Sequence, residues 1–288
     1  MDGKTVLITG STGGIGKETA RGLATLGATT FLLGRDPTRA EAAARELRAD
    51  TGNPRITALT ADVSRPTDLR RLATELADRV ERLDVLVNNA GTSRPRREVT
   101  ADGVEAMFAT NVLAPFMLGG ELLPLLRGGG RIVNLTGGIP KGRIDPGNLL
   151  AERKFVGFTF SQYNHTKLAV MAMSLGFADR VAEHGVTVNV AYPGHASTPG
   201  NRDLPMSAFP VVYRPAAPLL RWFGPRLLGG DAVAKASRSS VYLASSPEVE
   251  GVTGAYFDKH CRRAKWPPSV LDQANQDTVW RLCERLRG

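Results

Sequence analysis

Short apolar runs alternate with longer amphipathic stretches along most of the chain. The runs at 85–87 and 186–190 are apolar throughout or nearly so, which is typical of parallel strands covered on both faces. The pattern predicts strands near residues 4–9, 29–34, 55–60, 83–88, 130–136, 186–192 and 254–258. It predicts helices near residues 15–26, 37–50, 66–81, 101–126, 161–184 and 231–245. This alternation favours an α/β fold with a doubly wound parallel sheet, helices on both faces and right-handed crossovers.

One long stretch departs from the alternation. Residues 195–230 contain six prolines and several large apolar side chains, but no strand is predicted there. The apolar side chains argue against disorder, and the stretch follows a strand end, where ligands bind in open α/β sheets. We predict a substrate lid at about 195–230. A subunit contact or a membrane-surface segment is the competing interpretation.

Composition narrows the function classes. The chain has 288 residues, of which 42% are apolar and 23% charged, so residues 1–288 suit one globular domain. The net charge of +9 is spread along the chain without a nucleic-acid-binding motif, so we expect no nucleic-acid partner.

No apolar run reaches about 18 residues, so we expect no transmembrane segment. Asp2 and Lys4 directly precede the first strand, so we expect no signal peptide. The two cysteines have no metal-binding spacing, which predicts no metal site and a reduced, cytoplasmic protein.

The first candidate chemistry lies directly after the first predicted strand. Residues 9–16 read Thr-Gly-Ser-Thr-Gly-Gly-Ile-Gly and open the first predicted helix. Glycine allows a tight turn and lets the backbone approach a pyrophosphate, whose charge then meets the N–H groups at the helix start. The spacing G-x-x-x-G-x-G at this position therefore predicts a dinucleotide site.

A second candidate lies near the start of the helix predicted at 161–184. Tyr163 and Lys167 are four residues apart and so share one helix face. A cation close to a phenol favours the phenolate, which makes the pair a candidate general acid/base near neutral pH. The spacing alone is common by chance, so the pair needs support from other motifs.

Further motifs supply that support. The chain also carries Asn88-Asn89-Ala90-Gly91, Asn111 and Pro193-Gly194. Together with the glycine turn and the Tyr–Lys pair, they resemble the short-chain dehydrogenase/reductase family over nearly the whole chain. Segments 131–135, 145–163 and 279–282 are most similar to the retinol-dehydrogenase-like branch. The resemblance implies a single Rossmann-type domain.

The resemblance also implies roles for individual residues. The glycines would cradle the pyrophosphate with Ile15 shielding it, and two residues after the third strand would hold the adenine. Residues after the fourth and sixth strands would line the rest of the cofactor, and Asn88 and Ala90 would also steady the central sheet. This cofactor set is Gly10, Thr12, Gly14, Ile15, Gly16, Asp62, Val63, Asn88, Asn89, Ala90, Pro193, Gly194 and Thr198.

The implied catalytic roles fall on three residues. Tyr163 would exchange the hydroxyl proton while a hydride moves to or from the nicotinamide. Lys167 would bind the nicotinamide ribose and lower the pKa of Tyr163. Asn111 would bend its helix and help to anchor a water that links Lys167 to solvent. His165 lies off the face shared by Tyr163 and Lys167, so we expect it to be structural.

The cofactor can be argued from the end of the second strand, where the chain reads Leu33-Gly34-Arg35-Asp36. A carboxylate here would bind the ribose 2′-hydroxyl of NAD, whereas an arginine accommodates the 2′-phosphate of NADP. Arg35 offers bidentate donors to phosphate. Asp36 could pair with Arg35 or cap the next helix. These residues favour NADP(H) over NAD(H).

One family feature is missing. Family members carry a serine beyond the fifth strand that hydrogen-bonds the substrate oxygen, and the alignment places Gly137 there. Removing such a donor typically costs about 10²–10³ in rate. Thr136 could supply the hydroxyl, although neighbouring residues on an extended segment point to opposite faces. Alternatively, Tyr163 works with another donor, such as Ser161, His165, a water or the substrate. The third interpretation is chemistry without net redox, or no catalysis.

The expected activity is hydride transfer between NADP(H) and a carbonyl or secondary alcohol of a lipophilic, bulky small molecule. Two alternatives stay open. One is a non-redox cyclase or isomerase that uses Tyr163 as its acid/base, and the other is a non-catalytic NADP-binding protein. The helices near 101–126 and 161–184 resemble those through which family members associate, so we expect a homodimer or homotetramer.

Overall fold

The computed structural model describes residues 1–138, 142–153, 159–194 and 231–288. Within them, seven parallel strands form one sheet in the order β3-β2-β1-β4-β5-β6-β7. The strands are β1 Thr5–Thr9, β2 Thr29–Gly34, β3 Ile56–Thr60, β4 Val85–Asn88, β5 Arg131–Leu135, β6 Thr187–Ala191 and β7 Ala255–Phe257. The α-helices are α1 Gly14–Thr25, α2 Pro37–Thr51, α3 Pro66–Ala77, α4 Ala106–Phe108, α5 Ala114–Glu121, α6 Leu123–Leu126, α7 Thr159–Val181, α8 Asp231–Ser245, α9 Pro268–Leu271 and α10 Gln273–Arg287.

The sheet separates two apolar cores because successive side chains on a strand point to opposite faces. On β1, Val6 and Ile8 belong to the core under α1, α2 and α8. Leu7, between them, belongs to the core under α3, α5, α7 and α10. All three side chains are fully buried. The doubly covered parallel sheet confirms the predicted fold class.

The strand order places the candidate site. From β1 the chain moves outward through β2 to β3, and it then returns to the other side of β1 with β4. Open α/β sheets bind ligands at such a reversal, beyond the carboxyl ends of the strands. Because Ile8 pairs with Val87, the glycine turn after β1 lies beside the residues that follow β4.

All seven predicted strands are present, with ends that differ by at most two residues. The helix predicted at 101–126 is the main correction, because it starts at Ala106 and is interrupted by a π-helical turn at Ala109–Leu113. The start is fixed by the buried Glu105, whose carboxylate accepts hydrogen bonds from the N–H groups of Met107 and Phe108 at 3.1 and 2.8 Å. A side-chain cap of this kind satisfies N–H groups that have no partner within the helix.

The sequence pattern did not predict helices α9 and α10 at the C-terminus. In α10, the spacing of Val279, Leu282 and Cys283 places three buried side chains on one face. Asp272 caps the helix by accepting a hydrogen bond from the N–H of Ala274 at 2.9 Å. These start and periodicity signals could have identified the helix.

The predicted lid at 195–230 lies outside the described residues. Among the described helices, none combines the length and apolar character needed to cross a membrane.

Candidate active site

The glycine turn presents uncapped N–H groups. Helix α1 begins at Gly14, and Gly13 before it makes no side-chain cap hydrogen bond. No acidic residue lies in the first turn. Gly10 and Gly14 adopt positive φ angles of 64° and 56°, which glycine adopts without steric cost. The helix start therefore offers hydrogen-bond donors and a favourable dipole to an anion.

The loop after β4 holds this turn in place. The side-chain amide of Asn89 donates to the carbonyl groups of Thr9 and Gly10 at 2.9 and 3.1 Å. The N–H of Ala90 donates to the hydroxyl of Thr9 at 2.9 Å. A Cβ atom on Gly16 would overlap the Asn89 amide, so the close approach requires glycine. The turn thus fits the pyrophosphate of a dinucleotide, and Asn89 and Ala90 hold it against the loop after β4.

Asn88 steadies the central sheet, because its side chain is buried between strands. Its Nδ2 donates to Oδ1 of Asn134 on β5 at 2.8 Å. Nδ2 of Asn134 donates to Ser174 Oγ on α7, also at 2.8 Å. This chain of hydrogen bonds fixes α7, and with it the Tyr–Lys pair, relative to the central strands.

At the end of β2, Asp36 caps α2 by accepting a hydrogen bond from the N–H of Arg39 at 2.9 Å. This contact selects one of the two structural roles considered for Asp36. Arg35 is exposed and has no ion pair among the described residues. A Cβ on Gly34 would overlap the Thr12 side chain, so this glycine lets the turn after β1 pack on the end of β2. Arg35 therefore stands beside the glycine turn.

The predicted adenine contacts lie after β3. The Asp62 carboxylate accepts hydrogen bonds from the Ser64 N–H and hydroxyl at 3.0 and 2.7 Å. The Asp62 N–H donates to the Asp68 carboxylate at 2.9 Å. Val63 is partly buried against the core beneath α3. These contacts hold the loop rigidly at the same edge of the sheet as the glycine turn.

The Tyr–Lys pair lies on α7, next to the ends of β4 and β5. The Lys167 ammonium group is buried, and it donates to the Leu135 carbonyl at 3.1 Å. Its Nζ is 5.6 Å from the centroid of the Tyr163 ring. A Cβ on Gly91 would lie 3.3 Å from Lys167 Nζ and 3.4 Å from Asn111 Oδ1, so the three residues meet. Burial lowers the pKa of Lys167 to about 8.

Asn111 lies within the π-helical turn and connects three segments. Its Nδ2 donates to the Thr92 carbonyl at 3.0 Å and to Thr166 Oγ1 at 2.9 Å. Its Oδ1 accepts a hydrogen bond from the Thr92 N–H at 2.8 Å. The helix distortion falls at this residue, and the bonds attach the loop after β4 to α7.

The pKa of Tyr163 is raised to about 12. Burial of the phenol is the main cause, and the neighbouring Tyr192 adds to it. The Lys167 ammonium, the cation expected to favour the phenolate, is itself directed to the Leu135 carbonyl. Tyr163 is therefore held in its protonated form, which suits proton donation.

Gly137 and Gly138 pass directly beside the first turns of α7. A Cβ on Gly137 would lie 2.7 Å from the Tyr163 hydroxyl oxygen. Gly138 has a φ of 67°, and a Cβ there would overlap the Asn164 side chain. The space that the side chain of residue 137 would otherwise occupy is thus taken by the Tyr163 hydroxyl.

Two of the suggested replacements for the serine have other partners. Thr136 is buried, and its hydroxyl donates to the Lys167 carbonyl at 3.3 Å. This contact directs it to the α7 backbone and does not support a role as the missing donor. His165 Nε2 accepts a hydrogen bond from the Asp145 N–H at 2.9 Å, a structural contact. The Ser161 side chain lies outside the described residues.

Sequence reasoning missed Tyr192, which follows β6. Its hydroxyl donates to the Gly138 carbonyl at 3.2 Å, which places it beside the Gly137–Gly138 turn. A hydroxyl-bearing side chain at the carboxyl end of a strand, directly before Pro193-Gly194, was the available signal. Gly194 has a φ of 79° and packs against Lys259, whereas Thr198 lies outside the described residues.

No group of three or more His, Cys, Asp or Glu residues in the described ranges could hold a metal ion.

Comparisons with known proteins agree with this geometry. A family model described as short chain dehydrogenase matches residues 4–144. Retinol dehydrogenase 13 of Mus musculus is 36% identical over 100% of this chain and 85% of its own length. An uncharacterized protein from Mycobacterium paratuberculosis superposes with a TM-score of 0.77 at 26% identity, over 99% of this chain and 94% of that one. A short chain dehydrogenase from Burkholderia cenocepacia in complex with NADP gives a TM-score of 0.66 at 26% identity, over 89% of this chain and 96% of that one.

Proposed function

The chain belongs to the short-chain dehydrogenase/reductase family of oxidoreductases, and we propose that it transfers a hydride between NADP(H) and a carbonyl or secondary alcohol of a lipophilic molecule. One observation carries the proposal. A protonated, partly buried Tyr163 lies one helical turn from a buried Lys167, beside the reversal in strand order where a dinucleotide fits. A carbonyl oxygen next to the Tyr163 hydroxyl would receive its proton.

When bound, the reduced nicotinamide supplies the hydride that forms the new bond at the carbonyl carbon. The C=O π bond breaks as Tyr163 donates its hydroxyl proton to the oxygen, which leaves a phenolate. The Lys167 ammonium, 5.6 Å from the ring, stabilises that phenolate. In the reverse direction, the phenolate accepts the proton of the alcohol. Because Lys167 must be charged for this role, and burial lowers its pKa to about 8, carbonyl reduction should slow as pH rises above 8.

The preference for NADP(H) is supported by Arg35. A guanidinium at the end of β2 can bind a 2′-phosphate with charge-assisted hydrogen bonds. Asp36, the nearby carboxylate that would favour NAD, is used as the cap of α2. The Burkholderia relative, whose structure contains NADP, agrees with this preference.

The lipophilic substrate class is supported by the relatives. The mouse relative is named for retinol, a lipophilic alcohol. The apolar side chains of 195–230 would contribute if this stretch covers the site.

The test is to incubate purified protein with NADPH or NADH and with all-trans-retinal, propiophenone or cyclohexanone. We expect NADPH-dependent products that are two hydrogens heavier, with faster turnover of the two larger carbonyls. Tyr163→Phe should bind NADPH normally and give no product. A product of unchanged mass would instead favour a cyclase or isomerase, and tight NADPH binding without any product would favour the non-catalytic alternative.

We also propose a cytoplasmic location. Cys261 is partly buried and Cys283 is buried, and both are free thiols. Free thiols in both cysteines are typical of a reducing compartment.

A further inference from the structure

We propose that Tyr192 replaces the missing serine, with its hydroxyl donating a hydrogen bond to the substrate oxygen that Tyr163 protonates. This inference rests on the proposed function, because it needs a substrate oxygen beside Tyr163. It assigns a second catalytic hydroxyl to a residue that follows β6, whereas Gly137 follows β5.

The backbone of Tyr192 is held on both sides. Its N–H donates to the Phe257 carbonyl on β7 at 2.8 Å. Its carbonyl accepts a hydrogen bond from the Ser239 hydroxyl on α8 at 3.2 Å. The following Pro193 further restricts its backbone to extended conformations. The Tyr192 backbone, which carries the ring, is therefore fixed at the carboxyl end of β6.

The two phenol hydroxyls approach the same short turn. The Tyr192 hydroxyl lies 3.2 Å from the Gly138 carbonyl oxygen, and the Tyr163 hydroxyl lies 2.7 Å from the position of a Cβ on Gly137. Consecutive Cα atoms are about 3.8 Å apart, so both hydroxyls border one dipeptide. The serine of other family members would project from this dipeptide. Tyr192 thus brings a hydroxyl to the region from which the serine is absent.

The hydrogen bond from Tyr192 to the Gly138 carbonyl is one that a stronger acceptor can replace. At 3.2 Å the contact with Gly138 is longer than the usual O–H···O distance of about 2.7–2.8 Å, and its acceptor is a neutral carbonyl. A substrate oxygen gains negative charge as the hydride arrives, and charged acceptors form stronger hydrogen bonds. A phenolic O–H can rotate to the better acceptor. As negative charge develops, the Tyr192 hydroxyl therefore favours the substrate oxygen over the Gly138 carbonyl as its acceptor.

Glycine at 137 is part of this arrangement. A serine there would place its Cβ 2.7 Å from the Tyr163 hydroxyl oxygen, which is closer than carbon and oxygen normally approach without bonding. The glycine lets Tyr163 lie against the turn, and the donor then has to come from elsewhere. Thr136 and His165 have the structural contacts described above, whereas Tyr192 already reaches the turn.

The experiment compares Tyr192→Phe with Tyr242→Phe, a matched control on α8 whose hydroxyl bonds to Glu248. Both variants keep the aromatic ring. The first readout is NADPH-dependent reduction of retinal and propiophenone, with NADPH affinity and thermal unfolding measured in parallel. We expect kcat for Tyr192→Phe to fall by about 10²-fold, the lower end of the loss for one donor to a developing oxyanion. NADPH affinity should be unchanged, and Tyr242→Phe should match the wild type.

The second readout does not require turnover. Retinal labelled with ¹³C at the aldehyde carbon, or propiophenone labelled at the carbonyl carbon, is bound with NADP⁺, and its C=O stretch is recorded by infrared spectroscopy. The probe is whichever compound the wild type reduces faster. Each hydrogen-bond donor lowers this frequency, so the shift should be smaller in Tyr192→Phe than in the wild type and the control.

Equal carbonyl shifts in wild type and Tyr192→Phe would overturn the role of Tyr192 and leave the proposed function intact. An unchanged kcat in Tyr192→Phe would have the same consequence. A loss of kcat accompanied by weaker NADPH binding and equal shifts would show a structural role instead. If the wild type neither reduces nor binds any carbonyl of the panel, the proposed function fails, and this inference fails with it.

Discussion

Two glycine turns border the candidate site, and they exclude side chains for different reasons. At the turn after β1, a Cβ on Gly16 would overlap the Asn89 amide, which holds the carbonyl groups of Thr9 and Gly10. At the turn after β5, a Cβ on Gly137 would approach the Tyr163 hydroxyl to 2.7 Å. The first turn makes room for backbone and loop, and the second makes room for a reacting side chain.

This difference shows that one residue type can serve binding in one place and chemistry in another. The first turn leaves the N–H groups at the start of α1 uncapped, so it should govern nucleotide affinity. The second turn sets the position of a proton donor, so it should govern turnover. Substitutions at the two turns should therefore give separable defects.

The largest effect is expected from Gly16→Ala. The methyl group displaces the Asn89 amide and with it the Thr9–Gly10 segment, so NADPH affinity should fall by about 10³-fold, corresponding to about 4 kcal/mol. Calorimetric titration of NADPH measures this. Gly120→Ala is the control, because Gly120 lies in α5 with its nearest neighbour 3.9 Å from an added Cβ. Undiminished NADPH binding by Gly16→Ala would contradict the role of the first turn.

A smaller effect, on turnover alone, is expected from Gly137→Ser. Although it restores the residue type of other family members, its Cβ displaces the Tyr163 hydroxyl, and kcat should fall by about 10²-fold, comparable to the loss of one oriented catalytic group. NADPH affinity should not change. Gly137→Ala separates the two causes, since it adds the Cβ without a hydroxyl. If Gly137→Ser raised kcat while Gly137→Ala did not, the absent hydroxyl would be the limiting factor and the steric explanation would be wrong.

The second turn also lies beside a buried charge, whereas Lys17 near the first turn pairs with Glu46 at 2.5 Å. Burial lowers the pKa of Lys167 from 10.5 to about 8, so the native state binds this proton less tightly than the unfolded state does. The resulting destabilisation is fully present below pH 8 and disappears as pH rises through 10.5. The charged Lys167 lowers the free energy of unfolding by about 3 kcal/mol. Its hydrogen bond to the Leu135 carbonyl offsets about 1 kcal/mol of this loss.

Lys167→Met should therefore raise the free energy of unfolding by about 2 kcal/mol at pH 7, with the gain falling to near zero by about pH 10. Urea denaturation at both pH values measures it. Lys235→Met, an exposed lysine on α8, should show little change at either pH. A gain for Lys167→Met that does not depend on pH would show that its charge is not the cause.

The smallest effect is expected at the edge of the first turn. Arg35→Ala should weaken NADPH binding by about tenfold and leave NADH binding unchanged, because only NADPH carries the 2′-phosphate. Arg45→Ala, an exposed arginine on α2, is the control. If the affinities for NADPH and NADH fell equally, Arg35 would contact the pyrophosphate or stabilise the fold. It would then not determine the preference between the two nucleotides.

The local features of the chain could be predicted well. The strands follow from continuous apolar runs, and the first glycine turn from its place between strand and helix. The family resemblance implied a bend at Asn111, but the π-helical form of that bend could not be predicted, because Asn111 contacts Thr92 and also Thr166 on α7. Such contacts join segments far apart in the sequence.

The chemistry of the Tyr–Lys pair shows the same limit. The spacing of Tyr163 and Lys167 correctly placed them on one helix, but it could not give the direction of the pKa shift. That direction depends on how deeply the phenol is buried and on the neighbouring Tyr192. Tyr192 was missed for a related reason, since only the sheet order brings β6 next to the turn after β5.

The C-terminal helix bears on how copies of this chain can assemble. The Trp280 ring on α10 packs against Phe116 of α5 and Phe177 of α7, with centroids 4.8 and 5.6 Å away. The Arg180 guanidinium covers the same indole at 4.1 Å. These are the helices through which we expect self-association. A second copy that packed on this part of their surface would have to displace α10.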